Sequence, residues 1–256
     1  MTVKDLLPVP DLEACRSLLC VQPHPDDNEV GAGATIAKLV AAGCAVSCLT
    51  VTDGRLGTPD PAMPPQEVVA LRRGEVEAAA RILGVSRCLF LDVPDGSFPD
   101  EAMLCRRIVA VIRELRPEIV LTCDPFLPYE THPDHRRVGM AVMEACLFSQ
   151  FPHFVADPAG AHAPWAVSGV ALHTTHAPNT FIDVTATWET KLQAIAAHAS
   201  QFPAPVLAQY RAYFDFKGAE YAARGAGRRA ARSDRAEAFK VLSPLHLHAN
   251  VDTPDL

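Results

Sequence analysis

Over the first 147 residues, short apolar runs alternate with segments of helical period. Ser17–Val21 (SLLCV) reads as a buried strand, and Gly31–Gly43 (GAGATIAKLVAAG) spaces its apolar residues as a helix closed by glycine. Ala45–Val51 predicts a second strand, followed by a proline-rich loop and a long helix from Pro65 to Gly84. Cys88–Val93 predicts a third strand with a helix over Glu101–Leu115 behind it. Glu118–Cys123 predicts a fourth, leading into a helix over Pro133–Leu147. Strand–helix units repeated in this way predict a parallel sheet wrapped by helices, the Rossmann-like class of α/β fold.

Beyond residue 147 the pattern is less regular. Phe148–Pro164 reads as a loop, AVSGVALH and NTFIDV as two further strands, and ATWETKLQAIAAHASQF as an amphipathic helix. The chain looks helical from Pro203, passes a basic stretch at Arg224–Arg235, and reaches a short run AEAFKVL before the tail. The expected organisation is a single domain of 256 residues, with 1–147 as the Rossmann-like core and 148–256 completing it.

Composition narrows the function classes. A net charge of −7 argues against a general nucleic-acid binder, since phosphate contacts need a basic surface. No apolar run approaches the roughly 18 residues of a membrane span, and the start lacks a basic region followed by an apolar stretch. The eight cysteines include no C-x-x-C pair, which reads as buried, reduced thiols and points to the cytoplasm.

Two motifs carry chemistry. His24-Pro25-Asp26-Asp27 follows the first strand, and His132-Pro133-Asp134-His135 follows the fourth. In a doubly wound sheet of order 3-2-1-4-5, strands 1 and 4 are neighbours, so loops leaving their carboxyl ends line one crevice. A catalytic zinc takes three ligands from His, Asp, Glu or Cys and leaves a position for water. Pro133 suits a first helical position, which sets His132 at the cap and His135 one turn inside. Of the adjacent Asp26 and Asp27, one can bind metal while the other serves as general base. The plainer alternative is that Asp26, Asp27 and Asp134 only cap helices.

These residues carry a resemblance. PHPDDNEVGAGATIAKL, LTVTDG, LRRGEVEAAARILGV, FLDVPDG and HPDHRRVG occur in order across Val21–Gly139 and resemble the LmbE-like (PIG-L) family of zinc-dependent N-deacetylases. AIAAHASQF and AEAFKVL resemble that family's C-terminal pieces. The resemblance implies Zn²⁺ held by His24, Asp27 and His135, Asp26 as general base, and His132 stabilising the oxyanion or protonating the leaving amine. It further implies Arg72 and Asp95 as substrate contacts. It also implies a homo-oligomer in which His246 approaches another chain's crevice, with His248 beside it in sequence. The implied reaction is hydrolysis of the acetamide of an N-acetylglucosamine-type small molecule; the net charge and the lack of a long apolar run set aside nucleic acid and membrane as partners. This sequence departs from the family in reading Asn28 before Glu29, and Gly33-Ala34 for a Gly-Gly pair. Tyr129 stands three residues before His132, where some members carry a tyrosine two before.

Other readings carry less. GAGAT lacks the third glycine of a dinucleotide fingerprint, and no G-x-S-x-G elbow is present. His198 and Gln201 sit at helical i, i+3 spacing, whereas His153, His162, His173 and His176 show no ligand spacing and read as surface or loop residues. The alternatives to deacetylation are cleavage of a bulkier sugar-conjugate amide, or a catalytically silent sugar- or metal-binding protein.

Overall fold

The computed structural model describes residues 3–97, 99–154, 162–226, 234–248 and 250–256. A one-turn helix α1 (Val3–Leu6) precedes the first strand β1 (Ser17–Gln22), and the chain then alternates through α2 (Asp27–Ala41), β2 (Ala45–Thr52), α3 (Pro65–Leu83), β3 (Arg87–Val93), α4 (Glu101–Leu115), β4 (Ile119–Cys123) and α5 (Pro133–Phe148). The remaining elements are β5 (Gly169–His173), β6 (Thr180–Asp183), α6 (Trp188–Ala196), α7 (Ala204–Gly225) and β7 (Ala236–Leu242). The sheet order is β3-β2-β1-β4-β5-β7-β6.

Strands β1 to β5 pair in parallel in the expected 3-2-1-4-5 order, which sets β1 beside β4. Alternate residues of β1 feed opposite cores. Leu18 and Cys20 pack with Ile36, Leu39 and Phe239 on one face, whereas Leu19 and Val21 pack with Ile108, Ile112 and Val142 on the other. Burial on both faces is why β1, β2, β4 and β5 read as apolar runs rather than as alternation, while the edge strand β3 is mostly half-buried.

The sheet departs from the expected parallel arrangement beyond β5. AEAFKVL, read only as a run before the tail, is the strand β7, buried at every residue and inserted antiparallel between β5 and β6. Its charges are matched from elsewhere: Lys191 Nζ donates to Glu237 at 2.5 Å, and Lys240 Nζ donates to the backbone oxygens of Pro254 and Leu256.

Two helix boundaries also differ. Helix α2 starts at Asp27 rather than Gly31, so the end of the first motif is its first turn. Helix α6 stops at Ala196, leaving His198 and Gln201 on the following turn. Tertiary bonds replace the helical ones there: Glu75 accepts from Ser200 N and Oγ, and Gln201 donates to the Gly57 carbonyl. Helix α5 starts as expected, with Pro133 at its first position and His132 as cap. All eight cysteines are unbonded thiols, seven of them buried. Of the expected Phe148–Pro164 loop and Arg224–Arg235 stretch, residues 155–161 and 227–233 lie outside the described residues.

Candidate metal centre

The loop leaving β1 makes a strained turn into α2. Asp26 has φ 122°, a conformation that costs a non-glycine residue about 1–3 kcal/mol and calls for compensating contacts. Arg72, reaching from α3, supplies them by donating to the Pro25 carbonyl and, at 3.0 Å, to the Asp26 carboxylate. Asp27 turns back to accept from the His24 backbone N–H at 2.8 Å. Thus the two adjacent carboxylates serve different neighbours.

Across the crevice, α5 presents His132 and His135. His135 Nε2 lies 3.2 Å from His24 Nδ1 and 3.5 Å from Asp27 Oδ1, and His24 Nδ1 lies 3.4 Å from Asp27 Oδ2. Tetrahedral ligands at about 2.0–2.1 Å from zinc stand roughly 3.3 Å apart, so these donors have the spacing a small divalent cation requires. The far nitrogen of each ring backs onto carboxylate. His135 Nδ1 is 3.0 Å from Glu130, and His24 Nε2 is 3.4 Å from both Asp95 and Asp134. Carboxylates behind the imidazoles are the usual second support of a metal-binding histidine.

Grouped by donor proximity, His24, His132 and His135 form one candidate set, and His24, Asp95, His132 and Asp134 form another. Asp27 belongs to neither set, but its Oδ1 lies 3.5 Å from His135 Nε2 and its Oδ2 3.4 Å from His24 Nδ1. The Asp134 side chain is only 1% exposed. The donor chemistry therefore fits a metal with nitrogen and carboxylate ligands.

Electrostatics follow from this crowding. Burial opposes charge on His24, but Asp134, Asp27 and Asp95 outweigh it and push its pKa up to about 11; a positive charge is stabilised here. Burial also opposes ionisation of Asp27, yet His135 and His24 hold it well below the ordinary carboxylate range. Asp26 moves the other way, up to about 7, through burial and the charge of Asp27, against the pull of Arg72 and His198. Burial, followed by the charges of His24 and His135, keeps His132 below the usual histidine value.

A crevice of about 310 Å³ opens above these groups, lined by His24, Asp26, Asp27, Arg72, His132 and His135 together with Asp95, Leu56, Gly57 and Gln201. Two separated sequence motifs thus meet at one polar site.

A profile of the PIG-L family, described as GlcNAc-PI de-N-acetylase, matches residues 19–146. The chain is also 41% identical over 199 residues to the diacetylchitobiose deacetylase of Thermococcus kodakarensis, covering 77% of this chain and 74% of that protein. The chain belongs to the PIG-L family. Among solved structures of this family, the N,N'-diacetylchitobiose deacetylase of Pyrococcus horikoshii superimposes with a TM-score of 0.88 at 34% identity, covering 96% of this chain and 90% of that one. The 1D-myo-inositol 2-acetamido-2-deoxy-alpha-D-glucopyranoside deacetylase of Kineococcus radiotolerans is 34% identical over 190 residues, 62% of this chain. The match spans about half, 52%, of that longer protein. Among the described residues no helix is long and apolar enough to cross a membrane.

Within this PIG-L site, seven of the eight residues that the resemblance implies line the same crevice, as does Gln201, and His246 does not. Arg72 is 4% exposed and already holds Asp26 and Pro25, and Asp95 backs His24. His246 is 2% exposed; its Nδ1 accepts from Ser243 N at 2.9 Å, and its Nε2 meets the Leu7 carbonyl at 3.1 Å. His248 is exposed on the same tail. Tyr129 is 99% exposed and absent from the crevice lining.

Sequence reasoning missed three neighbours. Glu130, two residues before His132, contacts both histidines of the second motif, and that proximity was its one available signal. Asp134, named from the sequence only under the plainer capping alternative, lies 3.4 Å from His24 Nε2. His173, expected at the surface, is buried against Gly31, and burial pulls its pKa down to about 4.

Proposed function

We propose that this protein is a zinc-dependent N-deacetylase that hydrolyses the acetamide of an N-acetylglucosamine-type small molecule. The observation that carries this reading is the convergence of His24, Asp27 and His135 donors at 3.2–3.5 Å, with Asp26 and His132 beside them in one crevice. The relatives described as deacetylases of acetylated amino sugars support the substrate class.

His24, Asp27 and His135 would hold the zinc, which when bound polarises an acyl oxygen and lowers the pKa of a ligated water towards about 7. Asp26 lies outside that trio and is steered by Arg72, so its carboxylate takes the proton of the attacking water. His132 is prepared for the opposite task. Its Nδ1 accepts from Asp134 N at 3.3 Å, which leaves the proton on Nε2 of a ring that lines the crevice. That N–H donates to the developing oxyanion. Breaking the C–N bond and returning the proton to nitrogen gives acetate and a free amine.

The protein is further read as a cytoplasmic homo-oligomer. Leu6 at 65%, Leu245 at 67% and Val251 at 90% exposure offer an apolar surface around the C-terminal histidines. His246, buried with both ring nitrogens engaged within its own chain, is closed to the role of serving a neighbouring crevice, which leaves the exposed His248; a His248→Ala variant tested in the oligomer decides it.

The test is acetate release from N-acetylglucosamine and N,N'-diacetylchitobiose, measured alongside zinc content. Zinc at one equivalent, with activity lost to chelator and restored by zinc, is expected. Full activity without metal would sink the metal mechanism, and sugar binding without acetate release would leave a silent binder.

A further inference from the structure

The loop between β4 and α5 contains a carboxylate whose geometry exceeds ordinary capping. Glu130 Oε1 accepts from the His132 backbone N–H at 2.7 Å, and Glu130 Oε2 lies 3.0 Å from His135 Nδ1. One side chain therefore ties together both histidines of the second motif. The backbone before it is strained: Tyr129 has φ 67°, yet its ring is 99% exposed and contributes no packing in return. Such strain beside a crevice points to a functional constraint on the adjoining Glu130.

We propose that Glu130 is a positioning residue that fixes the tautomer and direction of His135 and anchors His132 at the start of α5. An ionised carboxylate only accepts hydrogen bonds. In the neutral ring, the form that can bind metal, the proton of His135 then sits on Nδ1, leaving Nε2 as a lone pair 3.2 Å from His24 Nδ1 and 3.5 Å from Asp27 Oδ1. Without Glu130 the proton can move to Nε2 and point into the ligand trio. Glu130 does not line the crevice, so it acts through the histidines and not on substrate.

The chemistry of glutamine isolates this role. A carboxylate satisfies two donors with two oxygens, whereas a carboxamide has one oxygen and one donating nitrogen. Glu130→Gln must either leave the His132 N–H unmet or present an N–H to His135 Nδ1 and so favour the wrong tautomer. Glu130→Asp keeps both oxygens and the charge on a shorter stem.

This inference rests on the proposed metal site, and its test separates the two. Zinc affinity is measured by titrating metal-free wild type, Glu130→Gln and Glu130→Asp. The His135 tautomer is read in the metal-free proteins from ¹⁵N imidazole shifts. For Glu130→Gln, zinc binding about 10- to 100-fold weaker is expected, the range for lost carboxylate support, with an unchanged melting temperature and loss of the Nδ1-protonated form. Glu130→Asp should recover part of the affinity and most of the tautomer. Wild-type zinc binding with unchanged affinity and tautomer in Glu130→Gln would overturn the proposal. Failure of wild type to bind zinc would overturn the metal reading instead, and the tautomer would still decide Glu130.

Discussion

Gly31→Ala probes the connection between core packing and the site. Gly31 lies on α2 one turn after Asp27, and a Cβ built there would fall 2.1 Å from His173 Nδ1 and 2.5 Å from its Cγ. Reaching ordinary contact at 3.4 Å requires about 1.3 Å of movement. The ring cannot easily yield, being 2% exposed and bonded to Thr174 Oγ1 at 2.9 Å. Helix α2 must give instead, and it carries Asp27. Two energies compete: alanine gains about 1 kcal/mol of helix propensity over glycine, and overpacking costs about 1–3 kcal/mol. Gly74→Ala in α3, where nothing lies within 4 Å of the added carbon, has the gain without the cost. The difference between the two variants removes the propensity contribution and leaves roughly 1–3 kcal/mol. At about 2–4 °C per kcal/mol for a chain of this size, Gly31→Ala should melt at least about 2 °C below Gly74→Ala. Displacing Asp27 by about 1 Å should also cost on the order of 10²-fold in activity, because catalytic geometry tolerates little misplacement. Thermal melts and deacetylation rates test both statements. Equal melting temperatures, or full activity in Gly31→Ala, would refute the argument that close packing against His173 sets the position of the ligand helix.

Three further outcomes are expected. Asp26→Asn should retain zinc and lose about 10²–10⁴-fold in turnover, while Asp27→Asn should lose zinc; metal analysis that found the reverse would exchange their roles. His132→Ala should lower kcat at constant zinc content, and a change confined to KM would show that the ring only holds substrate. Lys191→Met should destabilise the fold by about 3–5 kcal/mol, as breaking a buried ion pair does, because it strands Glu237 with only the backbone donors of Ala34 and Thr35. Adding Glu237→Gln should recover most of that loss. A urea midpoint unmoved by Lys191→Met would show that the pair contributes nothing.

The parts of the fold legible in the sequence are those where local pattern and burial coincide. β1, β2 and β4 read as apolar runs because a parallel sheet covered on both faces leaves little room for polar side chains, whereas the edge strand β3 is mostly half-buried and reads only through its central CLFL. β7 was not legible because Glu237 and Lys240 interrupt it, and their partners come from α2, α6 and the tail. A buried charge looks like a surface charge until its partner is known. The early stop of α6 has the same cause, since Glu75 on α3 competes for Ser200. The GAGAT stretch, one glycine short of a nucleotide fingerprint, has a packing role instead: Gly31 admits His173, and a Cβ on Gly33 would lie 3.2 Å from Lys191.

For the site, topology made the pairing of the two motifs legible, because adjacent parallel strands bring their following loops together whatever the loop sequence. Residue type then marked the groups that could bind metal or move protons. It could not mark which nitrogen of each histidine faces inward. That choice belongs to the carboxylate on the other side of the ring. His24 presents Nδ1 because its Nε2 backs onto Asp95 and Asp134, one from the loop after β3 and one from α5. His135 presents Nε2 because its Nδ1 backs onto Glu130. In the proposed trio the two rings therefore enter by different nitrogens. Exchanging their supporting carboxylates for amides should disturb the centre through tautomer before it disturbs any ligand.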